Sequence, residues 1–240
     1  MEKLKQQLNH LIKKLENAKN FRSILENLTS VYPFNEYEYI ISHLLVAKRL
    51  TLDEYLELRN DYLNRNLFLY LFEISAPRGL GDKWSFGHLK ELVPDFQRPS
   101  KKIDPKYSGE YDFWLKWNNK GIRIEIKTSR AVDFERPNES LYAKALSSIS
   151  KRPFDMNFQQ IKIGCADVFL WIGIWRDKIR YWILNSEEIK KNKYFSKGQH
   201  RGNVGEGQLH LKQDNIAEFK KYEIVSTKIK QGIIAAYKRL

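Results

Sequence analysis

Residues 109–130, Gly-Glu-Tyr-Asp-Phe-Trp-Leu-Lys-Trp-Asn-Asn-Lys-Gly-Ile-Arg-Ile-Glu-Ile-Lys-Thr-Ser-Arg, restrict the fold more than any other stretch of the chain. They predict a β-hairpin with an aromatic first arm, a loop Asn118-Asn119-Lys120-Gly121 whose residues tolerate positive φ, and a strictly alternating second arm. Strand side chains alternate between faces, so Ile122, Ile124 and Ile126 share one side and Arg123, Glu125 and Lys127 the other. A half-buried strand accounts for the isoleucines and leaves the acid and the lysine unexplained. Pairing Trp117 with Ile122 across the loop puts Asp112 opposite Lys127 and diagonal to Glu125, on one face. Diagonal cross-strand neighbours sit roughly 7–8 Å apart, close enough for two carboxylates to converge on one cation. Such hard oxygen ligands suit Mg²⁺, with Lys127 beside a metal-bound water that attacks a phosphoryl group. The plainer alternative is a solvated face carrying an Asp112–Lys127 ion pair.

Asp112 followed by Glu125-Ile126-Lys127 resembles the motif of the PD-(D/E)xK nuclease superfamily, to which many type II restriction endonucleases belong. The resemblance implies Asp112 and Glu125 as metal ligands, Lys127 as the catalytic lysine and Mg²⁺ as cofactor. Tyr111 stands where the family name has proline. The motif itself covers two strands, and the order of surrounding elements extends the likeness over residues 83–185. Two other acid-x-lysine triplets differ in context. Glu188-Ile189-Lys190 follows Asn185-Ser186 at an expected helix start, and Pro105 interrupts Asp104-Pro105-Lys106. The resemblance further implies an acid from the helix before the first acidic strand, for which Glu91 is nearest and Glu73 next. It also implies a glutamine, Gln160, from a helix after the metal strand.

Charge favours the same substrate. The chain carries a net +13, yet residues 1–75 hold ten basic and ten acidic side chains, so the whole excess belongs to residues 76–240. A polyanion such as double-stranded DNA is the expected partner, because lysine and arginine release its counterions. Candidate contacts are Arg78 and Lys83 in a breaker-rich loop from Ser75 to Trp84, Arg130 at the strand end, and a glycine-rich segment between Lys190 and Leu211. That segment offers Gln199, His200, Arg201, Asn203 and Gln208, groups that read base edges. His200 and His210 lack companions at zinc spacing.

The remainder predicts an α/β (α+β) architecture: a mixed central β-sheet flanked by helices, a restriction-endonuclease-like core over residues 76–240, and an N-terminal helical subdomain over residues 1–75. Leu4, Leu8, Leu11 and Leu15 mark a first helix, a second spans about Tyr37 to Leu50, and a third opens at the capping box Thr51–Glu54 and runs towards Phe72. A short helix is expected near Ser85 to Leu92, ended by Pro94. Helical spacing is read over Ser140–Ile149 and onward through Phe154–Gly164. A second hairpin joins Asp167–Trp175 to Ile179–Leu184, its apolar first arm pointing to a doubly covered strand. A basic C-terminal helix is expected to pack on the sheet. A single cysteine, Cys165, and the lack of a signal-like or membrane-length apolar run suggest a reducing cytoplasm and no membrane. The function these readings favour is that of a type II restriction endonuclease cutting double-stranded DNA. Alternatives are a repair or junction-resolving nuclease of the same fold, an RNA-processing nuclease, and a DNA-binding module without catalysis. The sequence leaves oligomeric state open, a homodimer being one arrangement the resemblance admits.

Overall fold

The computed structural model describes residues 2–15, 17, 19–20, 33–74, 79–198 and 205–240. Helices α1 (Glu2–Ile12), α2 (Pro33–Val46) and α3 (Leu52–Arg65) close on a core of their own around Leu11, Ile40, Ile41 and Leu44, with Tyr37 stacked on Tyr62 at 4.2 Å. The capping box opens α3 as its sequence demands. The Thr51 main-chain N–H donates to Glu54 (2.8 Å), and the Glu54 N–H donates to the Thr51 hydroxyl (3.2 Å). The helix stops at Arg65, short of Phe72, because Leu69–Phe72 tighten into a 3-10 turn that sends Leu69, Leu71 and Phe72 into the core of the main sheet. The expected loop before Trp84 is also partly helical. Gly79–Ser85 wind as a π-helical turn into α4 (Phe86–Leu92), and the fully buried Ser85 hydroxyl bonds the Leu80 carbonyl (2.9 Å) and Thr128 (2.7 Å).

Two sheets follow. In the first, β1 (Phe113–Trp117), β2 (Lys120–Arg130), β5 (Val168–Ile174), β6 (Ile179–Asn185) and β9 (Glu223–Ile224) lie in that spatial order. Only β2 and β5 run parallel, so the sheet is mixed. In the second, β3 (Val132–Asp133), β4 (Phe154–Ile161), β8 (Gly207–Lys212) and β7 (Phe195–Lys197) pair antiparallel. The fold is therefore mixed α+β with a mixed central sheet. Every residue of β5 is buried, as its continuous apolar run requires. On one face Ile122, Ile124, Leu170 and Ile172 meet Leu89 of α4 and Ile233 of α6 (Ile229–Lys238). On the other, Phe169, Trp171 and Trp182 meet Met156, Phe158 and Leu209 of the second sheet, with Phe158 stacked on Trp171 at 5.0 Å. Gly173 makes this closeness feasible: a Cβ there would lie 2.7 Å from the Trp182 ring and 2.9 Å from the Met156 sulfur.

The second sheet corrects the helix expected over Phe154–Gly164. Phe154, Met156 and Phe158 are buried while Asp155 and Asn157 between them stay partly exposed, a period of two. Residues 140–150 are turns, in which Ala145 and Leu146 are buried and Ile149 is 86% exposed. The parallel crossover from β2 to β5, normally a helix, is thus made by strands of the second sheet. Helices flank one face of the central sheet and strands the other. Asn185 caps α5 (Ser186–Lys190), so Glu188-Ile189-Lys190 is helical, and Asp104-Pro105-Lys106 lies among turns. Among the described residues, no helix is long and apolar enough to cross a membrane.

Candidate metal centre

The hairpin fixes the site. Asn118 and Asn119 both take positive φ (46° and 59°), so the turn has two residues, Trp117 pairs with Lys120, and Phe113 pairs with Ile124. A two-residue turn with both central residues left-handed matches strand twist better than the four-residue loop expected, and asparagine tolerates it. The register therefore moves by two. Asp112 stands level with Glu125, not with Lys127. An even shift keeps every side chain on its face, so the three residues still converge. Gly121 admits the Trp114 indole, whose ring atoms come within 1.5 Å of where a Cβ would sit.

Asp112 takes over where the β1–β2 ladder ends. Its N–H donates to the Ile124 carbonyl (3.0 Å), and its carboxylate accepts the Ile126 N–H (2.8 Å). Two bonds to one strand hold the carboxylate rigidly. Lys127 donates from Nζ to Glu125 at 2.7 Å, with both side chains nearly buried. The register, with Asp112 level with Glu125, does not favour the Asp112–Lys127 pairing of the plainer alternative. Burial pushes the Glu125 carboxyl up to about 8. The neighbouring Asp112 charge and a hydrogen bond with Asp112 add to the rise, while Lys127 opposes it. Two carboxylates held this close cannot both ionise cheaply.

That conflict is what a cation relieves. Asp112 and Glu125 supply hard oxygens, and Mg²⁺ commonly takes one or two carboxylates with water or phosphate oxygens completing its shell. No cluster of three or more His, Cys, Asp or Glu side chains suited to a metal occurs among the described residues. Neither expected accessory acid joins the pair. Glu91 is exposed on α4, and Glu73 ends the 3-10 turn that packs on the opposite face, its carboxyl raised by burial alone. Gln160 sits on β4 rather than on a helix, exposed, with φ of 56° where the pairing with β8 shifts register.

The structure adds neighbours that sequence reasoning passed over. Cys165, buried after β4, has its thiol pushed up to about 12, first by burial and then by the Glu125 charge, which places it beside the pair. Arg123, one alternation from Glu125, is clamped by Asp167 through its main-chain N–H (2.9 Å) and Nη2 (2.7 Å). Lys162 lies 3.3 Å from Glu110. These residues sit around the β4–β5 connection, which the helical reading displaced. An acid at the head of an apolar strand, Asp167, was the signal within reach.

The expected DNA contacts are less gathered. Arg130 is half-buried and donates from Nη1 to the Leu71 (3.0 Å) and Ile74 (2.7 Å) carbonyls, so it closes the 3-10 turn rather than facing a partner. Lys83 is exposed on the π-helical turn. Gln208, on β8, accepts from Asn157 at 3.4 Å, and His210 next to it pairs with Asp155 at 2.7 Å. Arg78, Gln199, His200, Arg201 and Asn203 lie outside the described residues. No protein-family model matches the chain, and no curated protein is detectably similar to it. The chemistry must be read from the side chains themselves.

Proposed function

We propose that the chain is a Mg²⁺-dependent endonuclease of the PD-(D/E)xK type that hydrolyses phosphodiester bonds in double-stranded DNA, acting as a type II restriction enzyme. One observation carries this: Asp112 stands level with Glu125 on one face of the hairpin, its carboxylate bonded by the Ile126 N–H (2.8 Å), with the Lys127 ammonium 2.7 Å from the buried Glu125. A solvated ion-pair face leaves no reason for burying Glu125 against another acid. When bound, Mg²⁺ supplies a more acidic water and neutralises charge growing on a phosphoryl oxygen. The chain's own residues do the rest. Asp112, anchored by the Ile126 N–H, fixes the position of the charge. Glu125 exchanges its proton for the cation, and Lys127, held by Glu125, orients the attacking water and donates to the phosphate oxygens. The basic excess in residues 76–240 supports a polyanionic substrate.

Incubation with long phage DNA and Mg²⁺ tests the reading. The expected result is a ladder of discrete fragments that Lys127→Ala abolishes while the circular dichroism spectrum stays unchanged. Nicks confined to branched or mismatched DNA would identify a repair or junction nuclease instead. Steeply salt-dependent binding with no cleavage at any Mg²⁺ concentration would refute catalysis. Parallel RNA digestion separates the two nucleic acids.

A further inference from the structure

A cleft of about 550 Å³ opens between the 140–152 segment and β3, and its wall carries Arg136, Lys144, Arg152 and Arg176 against a single acid, Asp133. Asp133 is 2% exposed and fully engaged. It takes Arg152 Nη1 at 2.9 Å, lies 3.5 Å from Arg136 Nε, and accepts the Glu135 N–H at 3.0 Å. Glu139 takes Arg136 as well (3.3 Å), which leaves Lys144 and Arg176 as the wall's cations without a carboxylate in salt-bridge contact among the described residues. Arg176 is the telling member. Its Nε–H is buried without an acceptor among the described residues, and burial disfavours its ionised form more than the nearby Asp177 charge restores it, with Arg65 adding to the burial effect. A buried donor left unpaired is costly, and an anion in the cleft supplies the missing acceptor.

The wall is built, not draped. The Arg176 N–H donates to the Leu146 carbonyl (3.0 Å), and Ser148 donates from its main-chain N–H (2.7 Å) and hydroxyl (2.9 Å) to Asp177. These bonds pin the segment to the β5–β6 turn. Arginine forks and a lysine around a concave site match the oxygens of phosphate. The volume lies within the range of small-ligand pockets.

We propose that this cleft binds a phosphate group, carried by a nucleotide or by a nucleic-acid backbone, at a position separate from the Asp112–Glu125 pair. The proposal does not rest on the nuclease reading, and its test is run in EDTA. Inorganic phosphate at fixed ionic strength should raise the melting temperature saturably above a chloride control. Lys144→Ala and Arg176→Lys should each weaken phosphate binding about tenfold by calorimetry, because a lysine cannot reproduce the guanidinium fork. Should Arg176→Lys fail to fold, Lys144→Ala carries the same expectation. Competition by a short duplex, with its salt slope reduced by about one in Lys144→Ala, assigns the phosphate to nucleic acid. Competition by a 5′-mononucleotide alone assigns it to a nucleotide; both results support the cleft. Phosphate stabilising no better than chloride, or binding both variants as it binds the parent, overturns the proposal. Loss of cleavage in Asp112→Asn bears on the metal centre and leaves this experiment untouched.

Discussion

Glu125→Gln isolates the energetic cost of burying Glu125 beside Asp112. Folding moves the Glu125 carboxyl from 4.5 to about 8, so between these values the folded state holds a proton that the unfolded state has released. Stability attached to this group is full below pH 4.5 and is lost as pH rises through 8. Each pH unit crossed costs about 1.4 kcal/mol. The loss above pH 9 is therefore on the order of 5 kcal/mol, or roughly 10–20 °C in melting temperature for a chain of this size. Glutamine mimics the protonated acid and cannot ionise, so the variant should melt with the parent at pH 5 and well above it at pH 9 in EDTA. Adding Mg²⁺ at pH 9 should close about half of that gap, since binding at one hundred times the dissociation constant stabilises by about 2.7 kcal/mol. The variant should gain much less. Differential scanning calorimetry of both proteins from pH 5 to 9, with EDTA and with Mg²⁺, measures all four arms. Parallel melting curves in EDTA, or equal Mg²⁺ shifts in parent and variant, would refute the claim that two crowded carboxylates await a cation.

Other perturbations probe single links. Lys127→Ala should lower the DNA cleavage rate at least about 100-fold, the scale of a lost proton-transfer or orienting group, with little change in Mg²⁺ affinity; a rate within tenfold of the parent would remove Lys127 from the chemistry. Arg123→Ala strips the guanidinium from Asp167, whose side chain is 13% exposed, and should cost about 1–3 kcal/mol in urea denaturation; this is less than for a fully buried pair because Arg123 is 39% exposed and the main-chain N–H remains. Gly121→Ala drives a methyl into the Trp114 ring and should cost about 1–3 kcal/mol while displacing the indole, seen as a shift in tryptophan emission.

Alternation in Ile122, Ile124 and Ile126 made the buried face of β2 legible, since burial against α4 and α6 selects one parity. Parity cannot say which residue lies across the hairpin. That choice belongs to the turn, and two adjacent asparagines fit a tight left-handed turn and a looser four-residue loop equally well on paper. The backbone resolves it with both asparagines at positive φ, so Asp112 stands level with Glu125 and not with Lys127. The expected trio survived only because the error was an even number of residues.

The second sheet was missed for a different reason. Phe154, Phe158 and Ile161 recur at four and three residues, while Phe154, Met156 and Phe158 also alternate. Either period describes them until a partner is known, and the partner is β8, some fifty residues later. Sequence periodicity registers a segment's own faces; a sheet is selected by a strand it has not yet met. Here that selection matters to the site. The strands of the second sheet bury Phe169 and Trp171, the β5 residues level with Glu125 and Lys127, and bring Cys165 beside the pair. The low-polarity wall that raises the Glu125 carboxyl is thus made by the crossover itself. Opening that wall should release the carboxyl: Phe158→Ala, which removes the ring stacked on Trp171, should lower the midpoint of the Glu125-dependent stability change toward 4.5 as water enters, and an unchanged midpoint in a folded variant would place the burial elsewhere.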